Sequence, residues 1–122
     1  MTGDLLLRDK ESLASAVTQK LYQEKPALLD KHGERGRTKC LQDMHYNIEH
    51  LIPAVELDDA SVFARYIAWL DEMLRARNVE TDDVVRSLAL LRDECTERYG
   101  AEGAVIAGII NEGLAALPVE RQ

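Results

Sequence analysis

Cys40, Asp43, Asn47 and His50 follow one another at spacings of three, four and three residues. On a helix turning about 100° per residue, Asn47 lies at about −20°, Asp43 at about −60° and His50 at about −80° from Cys40. A thiol, a carboxylate, an amide and an imidazole thus share one flank of a single helix. Such a strip can grip a half-buried ligand at the border between core and solvent. It can equally be an ordinary amphipathic boundary, with Asp43 paired to a cation and Cys40 as a small apolar filler. Just upstream, Lys31, Arg35, Arg37 and Lys39, with His32, form the one local basic cluster, enough for a single small anionic ligand.

Other chemistries fit the spacing poorly. His50 is ten residues from Cys40, about 15 Å of helical rise, which is too far for a Cys–His pair, and His45 projects about 140° away from Cys40. His32 lies in the preceding connection and could come back to the thiol. There is no H-E-x-x-H, and one helix rarely supplies a whole tetrahedral metal site. A five-coordinate haem needs an axial imidazole, and the third helix carries none. No enzyme is expected. Arg37, Lys39 and a place in the first helical turn would lower the Cys40 pKa and favour thiolate chemistry.

The elements that must position this strip all follow the helical period, and no stretch alternates apolar and polar residues long enough for a strand. A first helix is expected over about Lys10 to Glu24, with Leu13, Val17 and Leu21 on its buried stripe, ended by Pro26. Residues 25–36, with Pro26, Gly33 and Gly36 among charges, read as a surface connection. The second helix, about Arg37 to Ile52, puts Leu41, Met44, Ile48, Leu51 and Ile52 in one sector, and Pro53 should end or kink it.

Asp58 or Asp59 offers an N-cap for a third helix, about Ala60 to Arg75. Its apolar face is wide: Phe63, Ile67, Leu70 and Leu74 form one row and Val62, Tyr66, Trp69 and Met73 the next, so it must touch several neighbours or a ligand. Phe63 and Trp69 are expected in the core, whereas Tyr66, whose hydroxyl needs a partner when buried, is the better pocket residue. Thr81 with Asp82 and Asp83 caps a fourth helix carrying Val84, Leu88, Leu91, Cys95 and Tyr99. Gly100 or Gly103 separates it from a last helix holding Val105, Ile106, Ile109, Ile110, Leu114 and Leu117, and Pro118 closes the fold. The expected architecture is all-α, five helices in a bundle or an incomplete globin-like array.

The totals agree with one such domain. The chain has 122 residues, 46% apolar and 30% charged, with a net charge of −7 and a pI near 4.9. That sign repels phosphate backbones, so nucleic acid is not an expected partner. No apolar run approaches the roughly 18–20 residues that cross a bilayer, and the start lacks the pattern of a signal peptide, so no membrane and a cytoplasmic location are expected. Cys40 and Cys95, the two cysteines, form no C-x-x-C and should be free thiols in a reducing compartment.

Arg35-Gly36-Arg37-Thr38-Lys39-Cys40-Leu41-Gln42-Asp43-Met44-His45-Tyr46 resembles the phycobiliprotein pattern R-G-K-x-K-C-x-R-D-x-x-Y on the helix that carries a linear tetrapyrrole. The likeness extends from about Ser12, through Leu21-Tyr22 and Pro26, to Leu117. In appearance the chain is closest to the globins encoded near bilin-biosynthesis genes in non-photosynthetic bacteria. Residues 1–10 read as an N-terminal extension to a globin-like core over 11–117.

The resemblance implies a non-enzymatic bilin-binding protein, for pigment carriage, sensing or signalling. Its cofactor would be a bilin of the biliverdin or phycocyanobilin type. Cys40 would form a thioether to it, Asp43 would accept from the pyrrole N–H groups, and Lys39 would meet a propionate, with Arg35 or Arg37 as second partner. Tyr46 would face the pocket or pack beneath it. Gln42 stands where the family has Arg, which weakens the expected propionate grip. The N-terminal helices used for α/β pairing are not seen, so antenna rings are not expected and a homodimer or a protein partner is. The alternative is a pigment-free globin-like module that acts through such a surface.

Overall fold

The computed structural model describes residues 2–118. They form five helices, α1 (Thr2–Glu24), α2 (Ala27–Glu56), α3 (Ala60–Arg75), α4 (Thr81–Tyr99) and α5 (Ala101–Ala115), with no strand among the described residues. The expected all-α class holds, and α3 has the expected bounds. Three boundaries differ, each for a local reason.

Helix α1 begins at Thr2, so residues 2–10 are its first turns and not an extension. Leu6 is fully buried in the same core as Leu13, Val17 and Leu21. The charges of Arg8, Asp9, Lys10 and Glu11 hide this in the sequence because they occupy the outer part of the same helix. At its start Gly3 lies so close to the Glu56 side chain that a Cβ there would meet Glu56 Oε1 at 2.6 Å. The beginning of α1 therefore rests on the end of α2.

Residues 27–36, expected as a loop, belong to α2, but Gly33 (φ 70°, ψ −174°) breaks the helical torsions. That φ lies in the left-handed region that glycine adopts without a steric penalty. The break sets off a short segment, Ala27 to His32, at an angle to the long body of α2. Pro53 neither ends nor breaks α2, which runs one turn further to Glu56 with helical torsions. A proline late in a helix removes one hydrogen bond, and here it sits on the exposed face while Ala54 beyond it is buried.

The turn into α3 is made by Asp58 (φ 49°), with the Asp59 N–H donating to the Ala54 carbonyl at 2.9 Å. Asp59, one of the two expected caps, then accepts from the Ser61 N–H at 3.0 Å. Phe63, Ile67, Leu70 and Leu74 are buried as expected. Trp69 is not in the core: it is 56% exposed, because the second apolar row of α3 grades outward from half-buried Val62 and Tyr66. Its ring instead lies 6.1 Å from that of Tyr66.

Thr81 opens α4, yet its hydroxyl donates to Asp71 of α3 at 3.2 Å and does not cap its own helix. Asp71, fully buried, also forms an ion pair with Arg75 Nε at 3.2 Å. Helices α4 and α5 meet closely at Gly103, where a Cβ would lie 2.4 Å from the Cys95 carbonyl oxygen. Polar ties hold α1 to α4. Lys20 Nζ meets Glu94 at 2.6 Å, Tyr99 donates to Asp9 at 2.6 Å, and Arg98 donates to Ser12 Oγ at 2.8 Å.

Candidate functional site

A cleft of about 200 Å³ opens between the body of α2, the short segment before Gly33, and the stretch from the end of α3 into α4. Its apolar walls include Leu21, Leu28, Met44, Leu70, Leu74, Val79 and Val84, and its polar lining includes His32, Lys39, Cys40, Asp43, Asn47, Arg77 and Asp83. Lys39, Cys40, Asp43 and Asn47 face it because they lie within nine residues on one flank of α2, as the helical period requires.

The remaining sequence candidates fall elsewhere. Arg35 is exposed and lines no part of the cleft. Arg37 turns to the other side of Tyr22, its guanidinium 5.7 Å from that ring, and lines a second opening with Glu34 and Thr38. Tyr46 neither faces the cleft nor packs beneath it. It is 54% exposed, about 120° from Cys40 on the helix, and its backbone carbonyl lies 2.8 Å from His50 Nδ1. Tyr66 stands one step behind the site. Its hydroxyl donates to Asn47 Oδ1 at 3.0 Å, and its ring stacks on His50 at 3.8 Å and 6°. His50 is thereby drawn away from the strip on which the wheel placed it.

Electrostatics reverse one expectation. Burial pushes the Cys40 thiol up to about 11, and the Asp43 and Asp83 carboxylates add to the effect. Thr18, whose hydroxyl finds no partner at full hydrogen-bond geometry, opposes it only in part. Lys39 and Arg37 are not among the groups that shift it, and the thiol sits mid-helix, not in the first turn. Cys95, with no exposed surface, is pushed up to about 12 by burial. Burial also raises Asp43, with Lys39 and Arg77 pulling it back down.

His32, which the sequence allowed to come back to the thiol, does come back over Cys40's cleft, and its Nε2 is buried without a hydrogen-bond partner. Two other lining residues were not legible as site residues. Asp83, expected only as a first-turn charge, faces the cleft and is held by Lys25 Nζ at 2.6 Å. Arg77 is placed by the close of α3, where Asn78 takes φ 66° and the Val79 N–H donates to the Leu74 carbonyl at 2.9 Å. Asparagine at such a position is a signal for a left-handed helix stop, but nothing in the sequence says what the residue before it will face. Among the described residues no group of three or more His, Cys, Asp or Glu could hold a metal ion, and no helix is long and apolar enough to cross a membrane.

Fold and cleft together define an all-helical protein whose longest helix presents a thiol, a carboxylate and a cation to one apolar recess. The chain belongs to the phycobilisome protein family, whose model matches residues 4–117. The five helices are accordingly those of the globin-like phycobiliprotein fold. The match starts earlier than the expected Ser12 and takes in the first turns of α1. The family is one of non-enzymatic pigment proteins that carry bilins. No curated protein matches the chain, and no solved structure does.

The residues present suit such a group in kind. A bilin is a long conjugated apolar strip with two carboxylates and a basic ring system, and the cleft offers apolar walls, a half-buried carboxylate, a thiol and cations. In size the fit is partial, because about 200 Å³ is less than the roughly 300–1,000 Å³ that encloses a drug-sized ligand. A bilin held here would have to extend beyond the enclosed volume.

Proposed function

We propose that the chain binds a linear tetrapyrrole in the cleft along α2, as a pigment carrier or sensor. The observation that carries this reading is the convergence of Lys39, Cys40, Asp43 and Asn47 on one apolar recess, in a chain of the phycobilisome protein family. Asp43 accepts the N–H groups of the ligand, a charge-assisted bond strengthened by half-burial. Lys39 holds a propionate at the mouth. Asn47, fixed by Tyr66, keeps its amide toward the recess and orients what lies there. Such a ligand supplies visible absorption.

A raised thiol pKa supports non-covalent holding at neutral pH, with thioether formation at Cys40 as a slow second event. Titration of the protein with biliverdin and with phycocyanobilin tests the reading. A sharpened, red-shifted long-wavelength band is expected, surviving Cys40→Ala and weakened roughly tenfold in affinity by Asp43→Asn. A wild-type protein that gives no such band with either pigment refutes it. That outcome would leave the second reading, a pigment-free module of the same fold acting through a dimer or partner surface, which the small enclosed volume favours.

A further inference from the structure

The grip on a dianionic ligand needs two cations, and every sequence candidate for the second one is turned elsewhere. Gln42, Arg35 and Arg37 do not line the cleft. Arg77 does, from the α3–α4 connection and not from the helix that bears Lys39. We propose that Arg77 is the second carboxylate-binding residue of the site, acting together with Lys39, so that the cleft selects a linear tetrapyrrole whose two propionates are both free. This inference rests on the tetrapyrrole reading above.

Charge pairing and position together single these two residues out: of the cations in no ion pair among the described residues, Arg35, Arg37, Lys39, Arg65 and Arg77, only Lys39 and Arg77 line the cleft. Among the described residues most cations are already engaged, including Lys25 with Asp83, Lys31 with Glu80, Arg75 with Asp71 and Arg86 with Glu24. Among the described residues Lys39 and Arg77 form no ion pair, although the chain has 22 acidic residues for 15 basic ones. Two such cations at one recess, in so acidic a chain, leave a site without its counter-ion. The ionised groups that line the recess are Lys39, Arg77, Asp43 and Asp83, and Lys25 neutralises Asp83. One positive charge is left over. A tetrapyrrole with two propionates and a protonated ring system carries one negative charge overall, so the sum closes. Asp43 feels both cations, which lower its pKa against the effect of burial.

The position suits the role. Arg77 is exposed at the mouth, held in place by the Asn78 turn, and its planar fork can meet a carboxylate with two parallel bonds, which Gln42 could not do. A carboxylate that pairs with Arg77 must reach out of the recess toward solvent, in keeping with a ligand only partly enclosed.

The test compares biliverdin with its dimethyl ester, which has the same ring system and no free carboxylate. Both are titrated into the full chain by absorbance, using wild type, Arg77→Gln, Lys39→Gln and the surface control Arg65→Gln. Arg77→Gln is expected to weaken biliverdin about tenfold and to leave the ester unchanged, with Arg65→Gln like wild type for both. Equal biliverdin affinity in wild type and Arg77→Gln overturns the assignment. So does an equal loss for biliverdin and ester, which would mean that Arg77 only supports the fold. If wild type binds the ester and biliverdin alike, the tetrapyrrole reading stands and the propionate clamp falls. If it binds neither, both fall.

Discussion

Cys40 should be a slow thiol with a rate that climbs with pH well past the usual range. Relative to an ordinary thiol at 9.0, Cys40 is pushed up to about 11 by burial, so its thiolate fraction at pH 7 is lower by about a hundredfold. A more basic thiolate is also a better nucleophile, by about 0.4–0.5 log units per unit of pKa, which returns somewhat under tenfold. The net expectation is alkylation about tenfold slower than that of a small free thiol at pH 7, before any loss of access. Iodoacetamide labelling followed by peptide mass spectrometry reads this site by site. From pH 7 to pH 10 the logarithm of the Cys40 rate should rise with a slope of one and no plateau, while Cys95 stays unlabelled until the protein unfolds. A plateau below pH 9 would refute the reasoning, for it would mean that Lys39 and Arg37 do stabilise the thiolate as the sequence suggested. The outcome bears on function, because a protonated thiol at neutral pH adds to a pigment slowly unless something else activates it.

Two glycines of α5 should respond to alanine with opposite signs. At Gly103 a Cβ would lie 2.4 Å from the Cys95 carbonyl oxygen and 2.8 Å from Thr96 Cα, backbone atoms that cannot step aside, so Gly103→Ala should cost about 2–3 kcal/mol. At Gly108 nothing lies within 4 Å, and the helix propensity gain should stabilise by about 0.5–1 kcal/mol; urea unfolding of both variants checks the pair. Glu94 is buried and bonded to Lys20 at 2.6 Å and Arg98 at 2.8 Å, and those bonds hold its pKa below the ordinary 4.5. Its contribution is therefore present above about pH 4.5 and lost as the pH falls through the depressed value. Glu94→Gln should cost about 1–2 kcal/mol at pH 7, the exposed Lys20 end discounted. That gap between wild type and variant should narrow in acid, and an equal gap at pH 7 and pH 2.5 would count against the ion-paired account.

The helices and the flank shared by Cys40, Asp43 and Asn47 could be read along the chain because the helical period is a local property. Residues three and four apart share a face wherever the helix ends up. The same locality limits what can be read. Residues 2–10 were missed as helix because their charges outnumber the two buried residues, Gly3 and Leu6, and the segment 27–36 because a single glycine torsion, not a loop, absorbs the change of direction.

Which cations serve the cleft was decided only by packing. Arg35 and Arg37 are beside Cys40 in sequence and point away from its recess, whereas Arg77 and Asp83, about 40 residues on, are brought to it when α3 and α4 pack across α2. Burial likewise decided the state of Cys40: the sequence shows the neighbouring charges, but the desolvation that outweighs them comes from the walls that other helices supply. The sequence alone determined the helices and the face that carries the site's chemistry. The tertiary structure determined the far wall of the cleft, its charge and the reactivity of its thiol, because each of these depends on distances between residues far apart in the chain.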